Sequence, residues 1–215
     1  MTLTPRLRNA AFLTHVTLSV GWLGAVLAYL ALAVAGLRSQ DALVARSAYL
    51  SMELIGWFVI VPLSLAALAS GLVQSLGTEW GLFRHYWITV KFLAASSASL
   101  VLLVHMRVVS QMSGVARTTS LTAGDFGGLR MQLMVHAVGG LLVLLGATAL
   151  SIYKPWGMTP YGRRKQEDKV FPLPVQDKAS AAGSRRGVYV ILGIICLVLL
   201  ILVVHHLVGG GPHRQ

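Results

Sequence analysis

The chain is poor in charge and nearly free of cysteine. Of its 215 residues only 12% are charged, whereas a soluble domain carries about 25%. The single cysteine, Cys196, excludes an intrachain disulfide and a cysteine-rich zinc or iron–sulfur site. Walker, dinucleotide-binding, His-Glu-x-x-His and nucleophile-elbow motifs are also missing from the sequence. These absences argue against a soluble enzyme, a secreted disulfide scaffold and ATP-driven transport within this chain.

Apolar sequence is what the chain has in excess, with 55% hydrophobic residues and a mean hydropathy of +0.71. A helix needs about 20 consecutive apolar residues to cross a bilayer. Five runs are that long, over 11–37, 50–76, 86–110, 131–153 and 187–208. We therefore predict an all-α polytopic membrane protein. Its predicted parts are a four-helix transmembrane bundle over 1–153, a basic linker over 154–186, and a fifth transmembrane helix with an outer tail over 187–215.

The net charge of +11 is spread unevenly between the two ends of the predicted spans. Eleven Lys and Arg residues fall at the end that holds the N-terminus and the linker, and six fall at the other end. Because basic loops stay in the cytoplasm, we expect a bacterial inner-membrane protein with its N-terminus inside and its C-terminus outside. The basic linker lacks interleaved aromatic residues, so lipid is a better expected partner than nucleic acid.

Five of the ionisable residues inside the predicted spans are candidates for a functional site, because burying an ionisable group in the membrane is costly and a function is the default expectation. By depth, His15 and Lys91 share a level near the cytoplasmic end of the first and third spans. His105 and His136 share a second level near the outer end of the third and fourth spans, and Glu53 is close to it. The sequence therefore predicts two polar levels, one above the other, within the bundle.

The spacing of these residues suits stacked cofactor sites. Lys91 and His105 are fourteen residues apart, which places them on one helix face about 21 Å apart along the axis. His136 is followed one turn later by Gly139 and Gly140, whose missing side chains would leave room for a flat macrocycle. We predict that His105 and His136 are ligands of a flat macrocyclic cofactor at the outer level, with a second site formed by His15 and Lys91 at the inner level.

Structural roles for the same residues stay open. An intramembrane histidine such as His15 is often a hydrogen-bonding strut between helices. Lys91 is close enough to the cytoplasmic interface to extend its ammonium group into it. Glu53 is expected to pair with Arg130 or to cap its helix, and His105 with His136 could form a structural pair.

A stretch of scattered positions carries a family resemblance. It runs from His15 through Trp22-Leu23-Gly24, continues with Trp87-x-x-x-Lys91 and His105, and ends with Lys154-Pro155. These positions resemble the HemJ-type membrane protoporphyrinogen oxidases and, more loosely, the copper-resistance D-type membrane domains. They are also similar to an uncharacterised group of actinobacterial integral membrane proteins. The resemblance to the oxidases implies haem b binding, with His15 and Lys91 in the places of the functional pair.

The function expected from these observations is electron transfer by a membrane haem protein. Its enzymatic version is a tetrapyrrole oxidase in which Lys91 pairs with a substrate propionate and His15 relays a proton. A separate class is the transport of copper or a small solute, because several methionines fall near the outer level and copper(I) favours sulfur ligands. Those methionines are Met52, Met106, Met131 and Met134.

Two further features bear on the remaining alternatives. Transporters usually have broken helices or repeats, and here only Pro62 interrupts a span. The fifth span could instead join the chain to a membrane redox partner, a second copy or a larger complex as a non-catalytic subunit. His205, His206 and His213 near the C-terminus could bind a metal, although two adjacent histidines on a helix end point apart.

Overall fold

A computed structural model describes residues 3–78, 81–118, 126–154 and 157–167, and most of these described residues belong to four long apolar helices. Each is long and apolar enough to cross a membrane: α1 (Pro5–Arg38), α2 (Ala42–Leu76), α3 (Tyr86–Thr118) and α4 (Gly127–Tyr153). A short fifth helix, α5 (Pro160–Glu167), follows them. The all-α class and four of the predicted spans are confirmed. The fifth predicted span, over 187–208, lies outside the described residues.

The helices extend beyond the apolar runs that predicted them, and local signals set their ends. Pro5 stands in the first turn of α1, where its fixed backbone angle suits a helix start and no amide hydrogen is needed. The side chain of Asp41 caps α2 by accepting a hydrogen bond from the Leu43 amide at 2.7 Å. Polar end turns of this kind remain helical although they add nothing to the apolar run, so hydropathy alone underestimates each helix.

The four long helices form an up-and-down bundle in which neighbours in sequence are neighbours in space. α1 packs against α2 and α4, and α3 also packs against α2 and α4. Within the described residues the diagonal pairs, α1 with α3 and α2 with α4, make no close backbone contact. This arrangement is the one expected from short connections between antiparallel helices, and it encloses a core lined by all four.

Small residues allow helices to pack closely, and the sequence of α1 has a stripe of them at Gly21, Gly24, Ala28 and Ala31. A Cβ at Gly21 would make an ordinary contact with Leu63 of α2 at 3.7 Å, but the other three positions show no close approach. Gly24 has no atom within 4 Å of where a Cβ would stand, and Ala28 and Ala31 are exposed. The close approach lies at Gly36, where a Cβ would be 2.8 Å from Cζ of Tyr49 on α2. A stripe of small residues is therefore not enough to locate a helix contact, because the rotation of each helix decides which face is covered.

A π-helical turn over Gly56–Ile60 interrupts the regular hydrogen bonding of α2. Pro62 follows it directly, and a proline ring collides with the carbonyl four residues earlier in a regular α-helix. The extra residue in the π turn is a common way to absorb such a defect. Gly56 also lets Met106 of α3 approach closely, because a Cβ there would be 2.6 Å from the methionine Cε.

Helix α5 lies within the region predicted as a basic linker, and hydrogen bonds join its start to the loop before α3. The Thr159 amide donates to the Arg84 carbonyl at 2.9 Å, and the Thr159 hydroxyl donates to the Phe83 carbonyl at 2.6 Å. Gly162 packs against the Arg84 backbone so closely that a Cβ would collide with it. The first part of the predicted linker therefore contains a helix that is bonded to the loop before α3.

Candidate functional site

The centre of the candidate site is a stacked pair of histidines. The rings of His105 on α3 and His136 on α4 lie with centroids 4.1 Å apart and planes 5° from parallel. Both side chains are buried in the bundle. The structure thus brings together the two residues that matched helix depth predicts to meet.

A backbone carbonyl fixes the orientation and tautomer of His136. Its Nδ1 lies 2.9 Å from the carbonyl oxygen of Gln132, one turn earlier on α4. Because a carbonyl oxygen only accepts, Nδ1 carries the hydrogen, and in the neutral ring Nε2 then carries the lone pair. Metal-ligating histidines have this same arrangement, with the second ring nitrogen donating to a carbonyl.

A cavity of about 60 Å³ adjoins the histidine pair. Its remaining walls come from α1, α2, α3 and α4 and are mainly apolar: Trp22, Val26, Tyr29, Ile60, Ala98, Val101, Leu102, Ala137, Gly140, Val143 and Leu144. Gly140 borders open space, since nothing lies within 4 Å of where its Cβ would stand. Gly139 is buried and does not line the cavity. Of the two glycines that were predicted to leave room beside His136, only Gly140 therefore does so.

Two aromatic residues of α1 belong to this site, and the sequence gives only a weak signal for them. Trp22 and Tyr29 each line the cavity and are 5% exposed. With Val26 they follow the i, i+4, i+7 spacing of one helix face. That spacing shows that the three share a face, but it does not show that the face turns toward the histidines.

The second polar cluster, at the opposite end of the bundle, is formed around His15. Its Nδ1 lies 3.0 Å from the hydroxyl oxygen of Ser70, and that hydroxyl itself donates to the Ala67 carbonyl. The ring therefore donates through Nδ1, and Nε2 carries the lone pair of the neutral form. Lys91 is close enough to act electrostatically on His15. The structure thus places both predicted inner residues in one region.

Glycine makes room for the His15 ring. A Cβ on Gly71 would stand 3.0 Å from the ring Cε1, so any larger residue would force the imidazole to shift. The hydrogen bond to Ser70 and the contact with Gly71 hold the ring against α2. This geometry fits both a helix-linking strut and a positioned proton acceptor.

Glu53 pairs with Arg117, so the prediction that it pairs with Arg130 is wrong. Its Oε2 accepts from the Arg117 guanidinium at 2.9 Å and from the Ser113 hydroxyl at 2.5 Å. Arg130 is instead buried, with its guanidinium carbon 5.7 Å from the centre of the Tyr49 ring. The two arginines fall near the same bundle end in sequence, and only the rotation of α3 and α4 distinguishes them.

The described residues give little geometric support for the other predicted metal sites. Those residues hold no group of three or more His, Cys, Asp and Glu side chains able to bind a metal ion. Met52 and Met106 are fully buried, whereas Met131 is 45% exposed, so the predicted methionine set does not face one common site. His205, His206 and His213 lie outside the described residues.

Comparison of the chain with known proteins gives no relative from which a role could be transferred. No protein-family model, no curated protein and no solved structure matches the chain. The functional argument therefore rests on the residues of the bundle itself, and foremost on the His105–His136 pair.

Proposed function

We propose that the chain is a membrane redox protein that binds haem b through His105 and His136. The observation that carries the proposal is the buried pair on neighbouring helices, with ring centroids 4.1 Å apart. Haem iron in electron-transfer proteins is held by axial protein ligands, of which histidine is a common one. The bond from His136 Nδ1 to the Gln132 carbonyl supports the proposal, because it presents Nε2 as the ligating atom.

The two histidines are suitable ligands for haem iron, but the cavity beside them is too small for haem. Cofactor pockets commonly enclose about 300–1,000 Å³, whereas the cavity beside the histidines has about 60 Å³. Stacked rings also cannot both direct a nitrogen lone pair at one iron between them. Haem binding therefore requires the two rings to separate and the α1 wall to move outward. Gly140 favours such an opening, since open space already borders it.

Absorption spectroscopy tests the proposal on detergent-purified protein expressed with ample haem. We expect a Soret band and b-type bands on dithionite reduction, one haem per chain, and loss of most bound haem in His105→Ala and His136→Ala. His85→Ala is the matched control, because His85 lies in the loop before α3, outside the pair. Featureless spectra from the wild-type protein would overturn the proposal.

The enzymatic form of the proposal is a tetrapyrrole oxidase that uses the His15 cluster. The Lys91 ammonium would pair with a substrate carboxylate, and the His15 Nε2 lone pair would accept a proton. The proximity of the two side chains supports this assignment. Lys91→Met should then abolish turnover and leave bound haem largely intact, whereas retained turnover would remove Lys91 from the mechanism.

The size of the cavity favours a second candidate, transport of protons or a small solute. A space of about 60 Å³ holds a few water molecules, and the bundle has a polar cluster at His15 and another at Glu53 on either side of the histidine pair. In proteoliposomes with an internal pH-sensitive dye, this candidate predicts a proton leak that His136→Ala abolishes. Haem-free protein without such a leak would exclude it.

A further inference from the structure

A pocket of about 380 Å³ opens on the surface of the bundle between α2 and α3, and it shares no lining residue with the cavity beside the histidines. Glu53, Leu54, Trp57 and Phe58 of α2 line it together with Arg117 of α3. The four α2 residues follow the i, i+1, i+4, i+5 spacing of one helix face. Pockets for small molecules commonly enclose about 300–1,000 Å³, so this one has room for an organic group and not only for water.

The polar wall of the pocket is an ion pair. Glu53 Oε2 accepts from the Arg117 guanidinium at 2.9 Å and from the Ser113 hydroxyl at 2.5 Å, so α3 holds the carboxylate in place. One guanidinium nitrogen, Nη2, is engaged in the pair, and the Arg117 side chain is still 63% exposed. Because a guanidinium has five N–H donors in a planar fork, others remain for an anion. The wall thus presents a negative and a positive group side by side.

The apolar wall of the pocket lies deeper along α2. Trp57 and Phe58 follow Glu53 by four and five residues, or about 6–8 Å along the helix. The Trp57 indole Nε1 donates to the Ser110 hydroxyl oxygen at 3.2 Å, which fixes the ring beside α3. The Phe58 side chain is 76% exposed. A molecule in the pocket therefore meets charge at one end and open aromatic surface at the other.

The depth of the two walls matches the edge of a bilayer. Glu53 lies three residues after the start of the apolar run over 50–76, and Arg117 lies seven residues beyond the end of the run over 86–110. The ends of such runs lie near the boundary between hydrocarbon and headgroups. Trp57 and Phe58 fall within the run. The ion pair is thus at headgroup level and the aromatic side chains are at acyl-chain level, which is the polarity of an amphiphile.

We propose that this pocket binds a zwitterionic phospholipid with a primary ammonium group. The ammonium donates to the Glu53 carboxylate, the phosphate accepts from Arg117, and an acyl chain lies along Trp57 and Phe58. The guanidinium fork suits phosphate oxygens, and each charge of the headgroup meets its opposite in the wall. Because the pocket is separate from the histidine pair, its test does not depend on haem.

Arg46 is a second cation near this end of the bundle, but it is directed elsewhere. Its Nη2 donates to the backbone carbonyl of Arg117 at 3.3 Å, in the last turn of α3, where the helix dipole favours a cation. Arg46 is not among the described residues that line the pocket. The charges of Glu53 and Arg117 sum to zero, which fits a headgroup with one positive and one negative group better than an anionic one.

Lipid titration followed by native mass spectrometry of the detergent-purified protein tests the site. The two probes are phosphatidylethanolamine and phosphatidylglycerol, which share the phosphate and the acyl chains, whereas only the first has an ammonium group. We expect one bound phosphatidylethanolamine per chain and about tenfold weaker binding of phosphatidylglycerol. Glu53→Gln keeps an acceptor for Ser113 and should abolish this preference. Arg117→Gln should weaken the binding of both lipids by about tenfold.

The matched control is Arg107→Gln, which removes an exposed arginine of the same helix outside the pocket. We expect it to bind both lipids within about two-fold of the wild type, and thermal unfolding checks that every variant is folded. Equal binding of the two lipids by the wild type, or a preference that survives Glu53→Gln, would overturn the proposal. So would a loss in Arg107→Gln as large as that in Arg117→Gln. A lipid-free dimer that Phe58→Ala dissociates would assign the pocket to a second copy instead.

Discussion

At the residue scale, the polar contacts of the bundle depend on the level of each side chain along its helix and on the rotation of that helix about its axis. Counting residues from the ends of apolar runs brings His105 and His136 to one level, and the structure stacks their rings. The same counting makes Arg130 the partner of Glu53, yet Arg117 is the residue that pairs with it. Rotation depends on packing against neighbouring helices, which no single helix sequence specifies. For the same reason, the sequence does not predict that Tyr29 lies beside the histidine pair, where it lines the cavity.

The Glu53 cluster gives a prediction at this scale. Glu53→Ala removes acceptors for both Ser113 and Arg117, and we expect it to lower the free energy of unfolding by about 1 kcal/mol, because Arg117 is largely exposed and its charge is screened. Glu53→Gln retains an acceptor for Ser113 and should lose about half as much. Denaturation in detergent measures both, and equal stability of Glu53→Ala and wild type would contradict the assigned contacts.

At the scale of the element, capping side chains and prolines explain where the helices begin, but they do not explain which helix faces pack together. Asp41 and Pro5 mark helix starts that hydropathy overlooks. Pro62 is visible as a helix breaker, but whether it ends the helix, kinks it or is absorbed by a π turn depends on tertiary packing. Here the π turn over Gly56–Ile60 absorbs it and brings Ile60 to the cavity wall. The close α1–α2 approach at Gly36 is likewise a property of the packed pair.

Two glycines of α1 make a matched test of that approach. A Cβ at Gly36 would collide with the Tyr49 ring, which is rigid and 1% exposed. We therefore expect Gly36→Ala to destabilise the bundle by about 1–3 kcal/mol, the usual cost of overpacking.

The control is Gly24→Ala in the same helix, where nothing lies within 4 Å of the new Cβ. Because alanine favours helix over glycine, this variant should be as stable as the wild type or more stable. Thermal unfolding in one detergent compares the two. A Gly36→Ala protein as stable as Gly24→Ala would show that α1 and α2 are not this close.

At the scale of the whole molecule, the sequence predicts an all-α membrane protein, because the length of each apolar run can be read directly from the chain without knowing how the helices pack. Four helices able to span a membrane follow from it, and their up-and-down order follows from short connections. The ordered α5 could not be predicted, since it depends on bonds from Thr159 to Phe83 and Arg84, far away in sequence. Membrane orientation remains a prediction from the distribution of basic residues.

Thiol labelling of intact cells checks that orientation. With Cys196 replaced by Ser, a single cysteine is placed at exposed Gln40, between α1 and α2, or at exposed Arg163 of α5. We expect a membrane-impermeant reagent to label Gln40→Cys directly and Arg163→Cys only after permeabilisation, because α5 lies at the basic end. The reverse pattern would show that the N-terminus is outside.

The central claim, that His105 and His136 together hold one haem iron, is tested most directly by electron paramagnetic resonance of the oxidised protein. The account predicts a low-spin ferric signal of one bis-histidine haem per chain in the wild type. Loss of either ring, in His105→Ala or His136→Ala, should convert the remaining haem to a high-spin signal or release it. A wild-type protein without a haem signal, or one whose low-spin signal survives both substitutions, would contradict the claim.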